Sequence, residues 1–119
     1  MIYPDELDFL LCFALELDKH DENENIRKYV KTDKKNEQSV EIIINTEKES
    51  LRIKIFLKNE CIFDTKNENV SVIKIFSEQK REWLTAYIKN HDYDCEPIIE
   101  LLLEPGIRCR TKIMYMDSI

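Results

Sequence analysis

Eight consecutive residues, Leu51-Arg52-Ile53-Lys54-Ile55-Phe56-Leu57-Lys58, alternate apolar with mostly charged side chains. An extended strand sorts such a pattern onto two faces, because successive side chains point to opposite sides of the pleat. Leu51, Ile53, Ile55 and Leu57 then share one face, and Arg52, Lys54, Phe56 and Lys58 share the other. The stretch reads as the central strand of a sheet on which the rest of the chain packs.

Its neighbours in sequence extend that sheet. Residues 39–45 are a β-branched run with Val40, Ile42 and Ile44 on one face. A polar turn over 46–50 leads into the opening strand, and a tight turn at Asn59-Glu60 leads out of it. Cys61-Ile62-Phe63 is a short strand ending at Asp64, residues 66–69 form another polar turn, and Val70 to Phe76 is a further strand. Connections this short join neighbouring strands, which predicts an antiparallel meander. In a simple meander Ile43, Phe56, Val72 and Phe76 fall on the nominally polar face. That is too much apolar surface for a fully solvated sheet. The face is therefore expected to be covered in part, by N-terminal helices or by another chain.

Helical patterns flank the sheet. Pro4 with Asp5 and Glu6 suits a helix start, since proline is preorganised for the first turn and acids match the positive end of the dipole. That helix is expected to run to Asp18, with Leu7, Leu10, Leu11, Ala14 and Leu17 as one stripe beside Phe9 and Phe13. Asp21 to Glu24 resembles a capping box. It introduces a second short helix to Lys31, with Ile26, Tyr29 and Val30 buried, followed by a polar loop over 32–38. Ser77 suits an N-cap, and the helix from 78 to 90 pairs Trp83 with Tyr87 and Leu84 with Ile88 at i, i+4. After a polar break at 91–95, residues 96–104 fit a short helix with Ile98, Leu101 and Leu102 inward, or a buried strand. Pro97 and the leucines and glutamates favour the helix. Pro105-Gly106 fits a type II turn, and residues 107–116 alternate as a last strand.

The expected fold is a single α+β domain over residues 1–119. It has an N-terminal helical pair, a four- to five-stranded mainly antiparallel meander, one amphipathic helix (77–90) packed on it, and a C-terminal strand. This order of elements resembles that of the small acidic chaperones of bacterial secreted effectors, on element order alone and without a shared motif. The resemblance implies a chaperone-like or structural homodimer, for which the wide apolar face of the first helix would serve.

Composition narrows the function classes. Gly106 is the only glycine, which argues against a phosphate-cradling loop. Asp5, Glu6 and Asp8 stand where a signal peptide needs positive charge, and the run from Phe9 to Leu15 is far short of the ~20 apolar residues that span a bilayer. The expected location is the cytoplasm. Cys12, Cys61, Cys95 and Cys109 then read as reduced thiols, and their spacing matches no zinc pattern.

The net charge of −6 is unevenly spread: residues 1–25 carry −7, and the remaining 94 carry +1. That balance disfavours nucleic acid as a partner, since phosphate binding needs a cationic footprint. A basic face built from Arg52, Lys54 and Lys58 with Phe56, joined by Arg108, Arg110 and Lys112, is the arrangement that would bind single-stranded RNA. Glu41 on the adjacent strand is expected to pair with those cations instead.

Two catalytic readings are weak. His91, Asp92, Asp94 and Cys95 are metal-ligand types, but the only other histidine, His20, is 71 positions upstream. Asp64-Thr65-Lys66 matches the acid-x-lysine element of some metal-dependent nucleases, a chemistry that needs a further acid such as Glu41 or Glu49. Neither histidine supports a nucleophilic triad.

The acidic cluster Asp18, Asp21, Glu22 and Glu24 offers a surface complementary to a basic partner. Clustered charge of this kind raises association rates and selects partners. The sequence is thus expected to encode a non-enzymatic inhibitor or immunity-type protein that binds another, basic protein such as a nuclease toxin. The expected binding residues are Asp18, Asp21, Glu22 and Glu24 together with Lys54 and Phe56, with no cofactor, no metal and no membrane. The alternatives are the homodimer and the metal-dependent nuclease.

Overall fold

Leu51, Ile53 and Ile55 are buried while Arg52, Lys54 and Phe56 are only half-buried, so the alternation at the centre of the sequence is the pleat of a strand with one core face. The computed structural model describes residues 1–5, 8, 16–20, 25–89, 95–104 and 106–111. Among them run nine strands: β1 (Glu16–His20), β2 (Ile26–Asp33), β3 (Gln38–Asn45), β4 (Ser50–Leu57), β5 (Glu60–Asn67), β6 (Val70–Glu78), β7 (Arg81–Lys89), β8 (Cys95–Glu104) and β9 (Arg108–Thr111). They form two antiparallel sheets in sequence order, β1-β2-β3-β4-β5 and β6-β7-β8-β9.

One apolar core draws on both sheets. Tyr29, Val40, Ile42, Ile44, Leu51, Ile53 and Ile55 come from the first, and Val70, Ile73, Leu84, Ala86, Ile99, Leu101 and Leu103 from the second. Side chains that interdigitate between two inner faces are what holds stacked sheets together. The buried apolar residues of β3 and β4 fall on alternate positions, Val40-Ile42-Ile44 opposite Ile55-Ile53-Leu51, with Ser50 also buried where β4 begins. A slip of one residue would turn this whole set to solvent, which fixes the register. Lys31 of β2 reaches across the gap to Glu104 of β8 at 2.9 Å. The N-terminus closes an edge: Ile2 pairs with Val72 in parallel, donating its N–H to the Ser71 carbonyl and accepting from the Ile73 N–H, both at 2.8 Å. A covered edge has no open row of backbone groups there for stray pairing.

The expected α+β class is overturned. The described residues are nearly all strand, and among them neither the N-terminal helical pair nor the amphipathic helix 77–90 is found. The expected second helix is β2, with Tyr29 inward and Lys28 outward. The first is contradicted at Glu16–His20, which is β1; its residues 6, 7 and 9–15, and the capping box at 21–24, lie outside the described residues. With that order of elements gone, the resemblance to effector chaperones falls away.

The helix expected over 77–90 is instead the β6–β7 hairpin, with its loop at Gln79-Lys80. Spacing of four residues puts Trp83 with Tyr87 and Leu84 with Ile88 on one face of a helix, but also on one face of a strand, because four is a multiple of two. The turn gives no glycine signal: Gln79 itself takes φ 53°. Residues 96–104, favoured as a helix, lie in β8. Its inward residues Ile99, Leu101 and Leu103 do alternate, but Ile98 and Leu102 are apolar on the other face, and a continuous apolar run does not by itself distinguish a strand from a helix. The meander also stops where the sequence suggested it would continue. The chain leaves the first sheet after β5, and β6, which follows Asn69 at φ 60°, belongs to the other.

Candidate functional site

The sequence points to the outward face of β4, and the register shows what surrounds it. Glu41 of β3, Lys54 of β4 and Asp64 of β5 stand in one row across the first sheet. Each acid is held by a second cation. Lys28 of β2 forms a salt bridge with Glu41. Arg52 grips Asp64 with both arms of its guanidinium, Nε to Oδ1 at 2.9 Å and Nη2 to Oδ2 at 2.7 Å. Lys54 therefore sits between two carboxylates that are already engaged. Phe56 and Ile43 are half-buried on the same face, in the rows to either side.

Arg52 leaves an electrostatic mark. Its hydrogen bonds to Asp64 are the largest cause holding that carboxyl below its ordinary range, and they raise the guanidinium in return. A carboxyl depressed in the folded state adds stability above its ordinary pKa and loses it as pH falls through the folded value. Replacing Arg52 by leucine is expected to move Asp64 up toward the ordinary carboxylate range. A carbon-detected NMR titration of the Asp64 carboxyl would check it. An unmoved titration would mean that the pair does not form in solution.

These contacts also bear on the nuclease-like triplet. Asp64 turns its oxygens to Arg52, Glu41 is bound to Lys28, and Glu49 faces the Met1 amine at 3.5 Å. Among the described residues no three His, Cys, Asp or Glu side chains come together as a metal site. His91, Asp92 and Asp94 lie outside the described residues, and Cys95 opens β8. Of the expected acidic cluster, Asp18 belongs to β1 at the edge of the first sheet. Asp21, Glu22 and Glu24 lie outside the described residues.

The single basic face imagined from sequence divides in two. Arg52, Lys54 and Phe56 belong to the first sheet, Arg108 and Arg110 to the second, and Lys58 sits in the β4–β5 turn. Lys112 lies outside the described residues. The second sheet has an outward face that the sequence did not reveal. Phe76 of β6 and Trp83 of β7 are register partners whose rings stack at 5.3 Å and 13°. Arg81 lies over the Trp83 ring at 5.6 Å, and Lys74 over Tyr87 at 5.6 Å. Leu102 continues the row beside Trp83, and Arg108 ends it on β9. Arg81, Trp83, Glu100, Leu102, Arg108, Cys109 and Arg110 line a depression of about 490 Å³. Burial pushes the Cys109 thiol up to about 12, so it stays protonated and unreactive at neutral pH.

No helix among the described residues is long and apolar enough to cross a membrane. No protein-family model matches the sequence, and no curated protein matches it significantly. The fold does have a likeness among solved structures. A chain of the contact-dependent growth inhibition toxin–immunity protein complex from Klebsiella pneumoniae 342 matches with a TM-score of 0.79 at 18% identity. The match covers 93% of this chain and 95% of that one. At that identity the likeness is one of fold.

Proposed function

We propose that this chain is an immunity-type protein, which binds a toxic partner protein in the cytoplasm and blocks it without chemistry of its own. The observation that carries the reading is the near full-length fold likeness to a chain of a toxin–immunity complex. Fold alone does not fix function, and charge supplies the second support. Of the two members of such a pair, a net charge of −6 suits the one that covers a basic partner, since complementary potentials steer encounter and reject wrong partners.

The proposed contact residues are Asp18, Asp21, Glu22 and Glu24 with Lys54 and Phe56. β1, which carries Asp18, and β4, which carries Lys54 and Phe56, belong to the same sheet. They are three strand spacings apart, about 14 Å, within the reach of one interface of about 800 Å² per partner. Phe56 would act as the apolar anchor and the acids as the steering charge.

The test starts with affinity capture from the source cells and identification of the bound protein by mass spectrometry. With the recombinant pair, lysine at Asp21, Glu22 and Glu24 together is expected to slow association at least tenfold at low salt, and by much less at high salt. An unchanged association rate at low salt would remove the acidic surface from the proposal.

A further inference from the structure

We propose that the outer face of the second sheet is a separate docking surface for an acidic, apolar-bearing segment of a protein. The face does not include Lys54, Phe56 or β1, and the inference does not rest on the immunity reading. Its centre is a row across four strands, Phe76–Trp83–Leu102–Arg108. Beside it runs a second row, Lys74–Thr85–Glu100–Arg110. Aromatic rings and leucine outside the core, ringed by arginine, are the composition of interface hot spots.

Charge selects the occupant. Three arginines and one glutamate line the depression beside Trp83, a local excess of cations in a chain of net charge −6. The cations are only partly satisfied. Among the described residues Arg110 approaches Glu100 at 3.9 Å, and Arg81 and Arg108 make no salt bridge. Guanidinium forks bind carboxylates bidentately, as Arg52 does with Asp64 on the first sheet. Nucleic acid fits less well. Phe76 stacks on Trp83 and Arg81 lies over the same ring system, so a base would have to compete with both for the indole, and Glu100 would repel a phosphate. An extended segment with Asp or Glu at the arginines and an apolar side chain over Leu102 satisfies both rows.

The chain has a single tryptophan, so intrinsic fluorescence reports on this face directly. A phage-displayed library of random twelve-residue peptides would be selected on the intact protein and on a variant with Arg81→Gln, Arg108→Gln and Arg110→Gln. The expected result is peptides enriched in Asp or Glu with aromatic or leucine residues. The best of them, made synthetically, is expected to shift Trp83 emission saturably and to bind the variant at least tenfold more weakly. Lys54→Glu is expected to leave that affinity unchanged. Circular dichroism would verify that the variants fold, and a conservative Arg108→Lys, Arg110→Lys variant, which keeps charge but loses the forks, is expected to lose at least threefold. Four results would overturn the proposal: peptides without acidic enrichment or none above background, equal affinity for the glutamine variant, tighter binding of a twelve-residue oligouridylate than of the peptide, or concentration-dependent self-association abolished by the glutamine variant. The last would make the occupant a second copy.

Discussion

Replacing Ile53 by alanine is expected to destabilise the protein by about 3 kcal/mol, within the roughly 2–5 kcal/mol range of buried isoleucine truncations. Ile53 is fully buried on the inner face of β4, in register with Ile42 on one side and Thr65 on the other. Across the core lie Ile73, Leu84 and Leu101 from the second sheet. The cost has two parts, the lost transfer energy of the methyl and methylene groups and the cavity that two stiff sheets cannot close. Phe56, three positions on and on the other face, is half-buried, and its truncation is expected to cost about 1 kcal/mol or less, although phenylalanine is the larger side chain. Urea unfolding of both variants would separate them, as a shift in midpoint at unchanged slope. Equal shifts would mean that the outer face of the first sheet is as covered as the inner one.

Glycine at two turn positions is expected to work in the opposite direction. Gln79 and Lys58 hold φ of 53° and 52°, and Asn59 beside Lys58 holds 68°. Two consecutive positive values at 58 and 59 are what a two-residue type I′ hairpin turn demands. The left-handed conformation costs a residue with a Cβ roughly 1–2 kcal/mol, and glycine gives back about 0.5–1 kcal/mol in unfolded-state entropy. Each substitution is therefore expected to gain about 0.5–1 kcal/mol, and Gln79→Gly with Lys58→Gly together about 1–2 kcal/mol, since the turns are distant enough to add. Gln79→Gly also discriminates the fold. In the first turns of a helix over 77–90 the same change would destabilise by about 1 kcal/mol. A higher urea midpoint supports the hairpin, and a lower one the helix.

That opposition of signs explains what the sequence made legible. The β3–β4 pair was legible because Val40, Ile42 and Ile44 face Ile55, Ile53 and Leu51 without a bulge, an alternating apolar set on one face of both strands. Hairpins β6–β7 and β8–β9 were not. Gln79 takes a conformation that sequence reading reserves for glycine or asparagine, Glu78, Gln79 and Lys80 are good helix formers, and the four-residue spacing of Trp83 and Tyr87 satisfies both periods. Apolar residues on both faces then hide β8. The step from β5 to β6 could not be read at all, since a short polar turn looks the same whether the chain returns to its own sheet or starts another.

Candidate sites followed the same rule. Lys54, Phe56 and Glu41 were legible as neighbours because their strands were, and Glu41 does stand opposite Lys54. The lock of Arg52 on Asp64 depends on the longer β5, which sequence had cut short at Asp64. Trp83 was invisible as a surface residue once assigned to a helix, so its pairing with Phe76 could not be anticipated. Arg108 and Arg110 were recognised as one strand's charges but were grouped with the wrong sheet.

The most direct test of the immunity-type reading is neutralisation. The captured partner would be expressed from an inducible promoter in a host lacking this chain, with and without the chain supplied in trans. The reading predicts that the partner alone arrests growth, and that the wild-type chain restores growth by forming a stoichiometric complex. A partner that is harmless alone, or that remains toxic in the presence of equimolar folded chain, would contradict it.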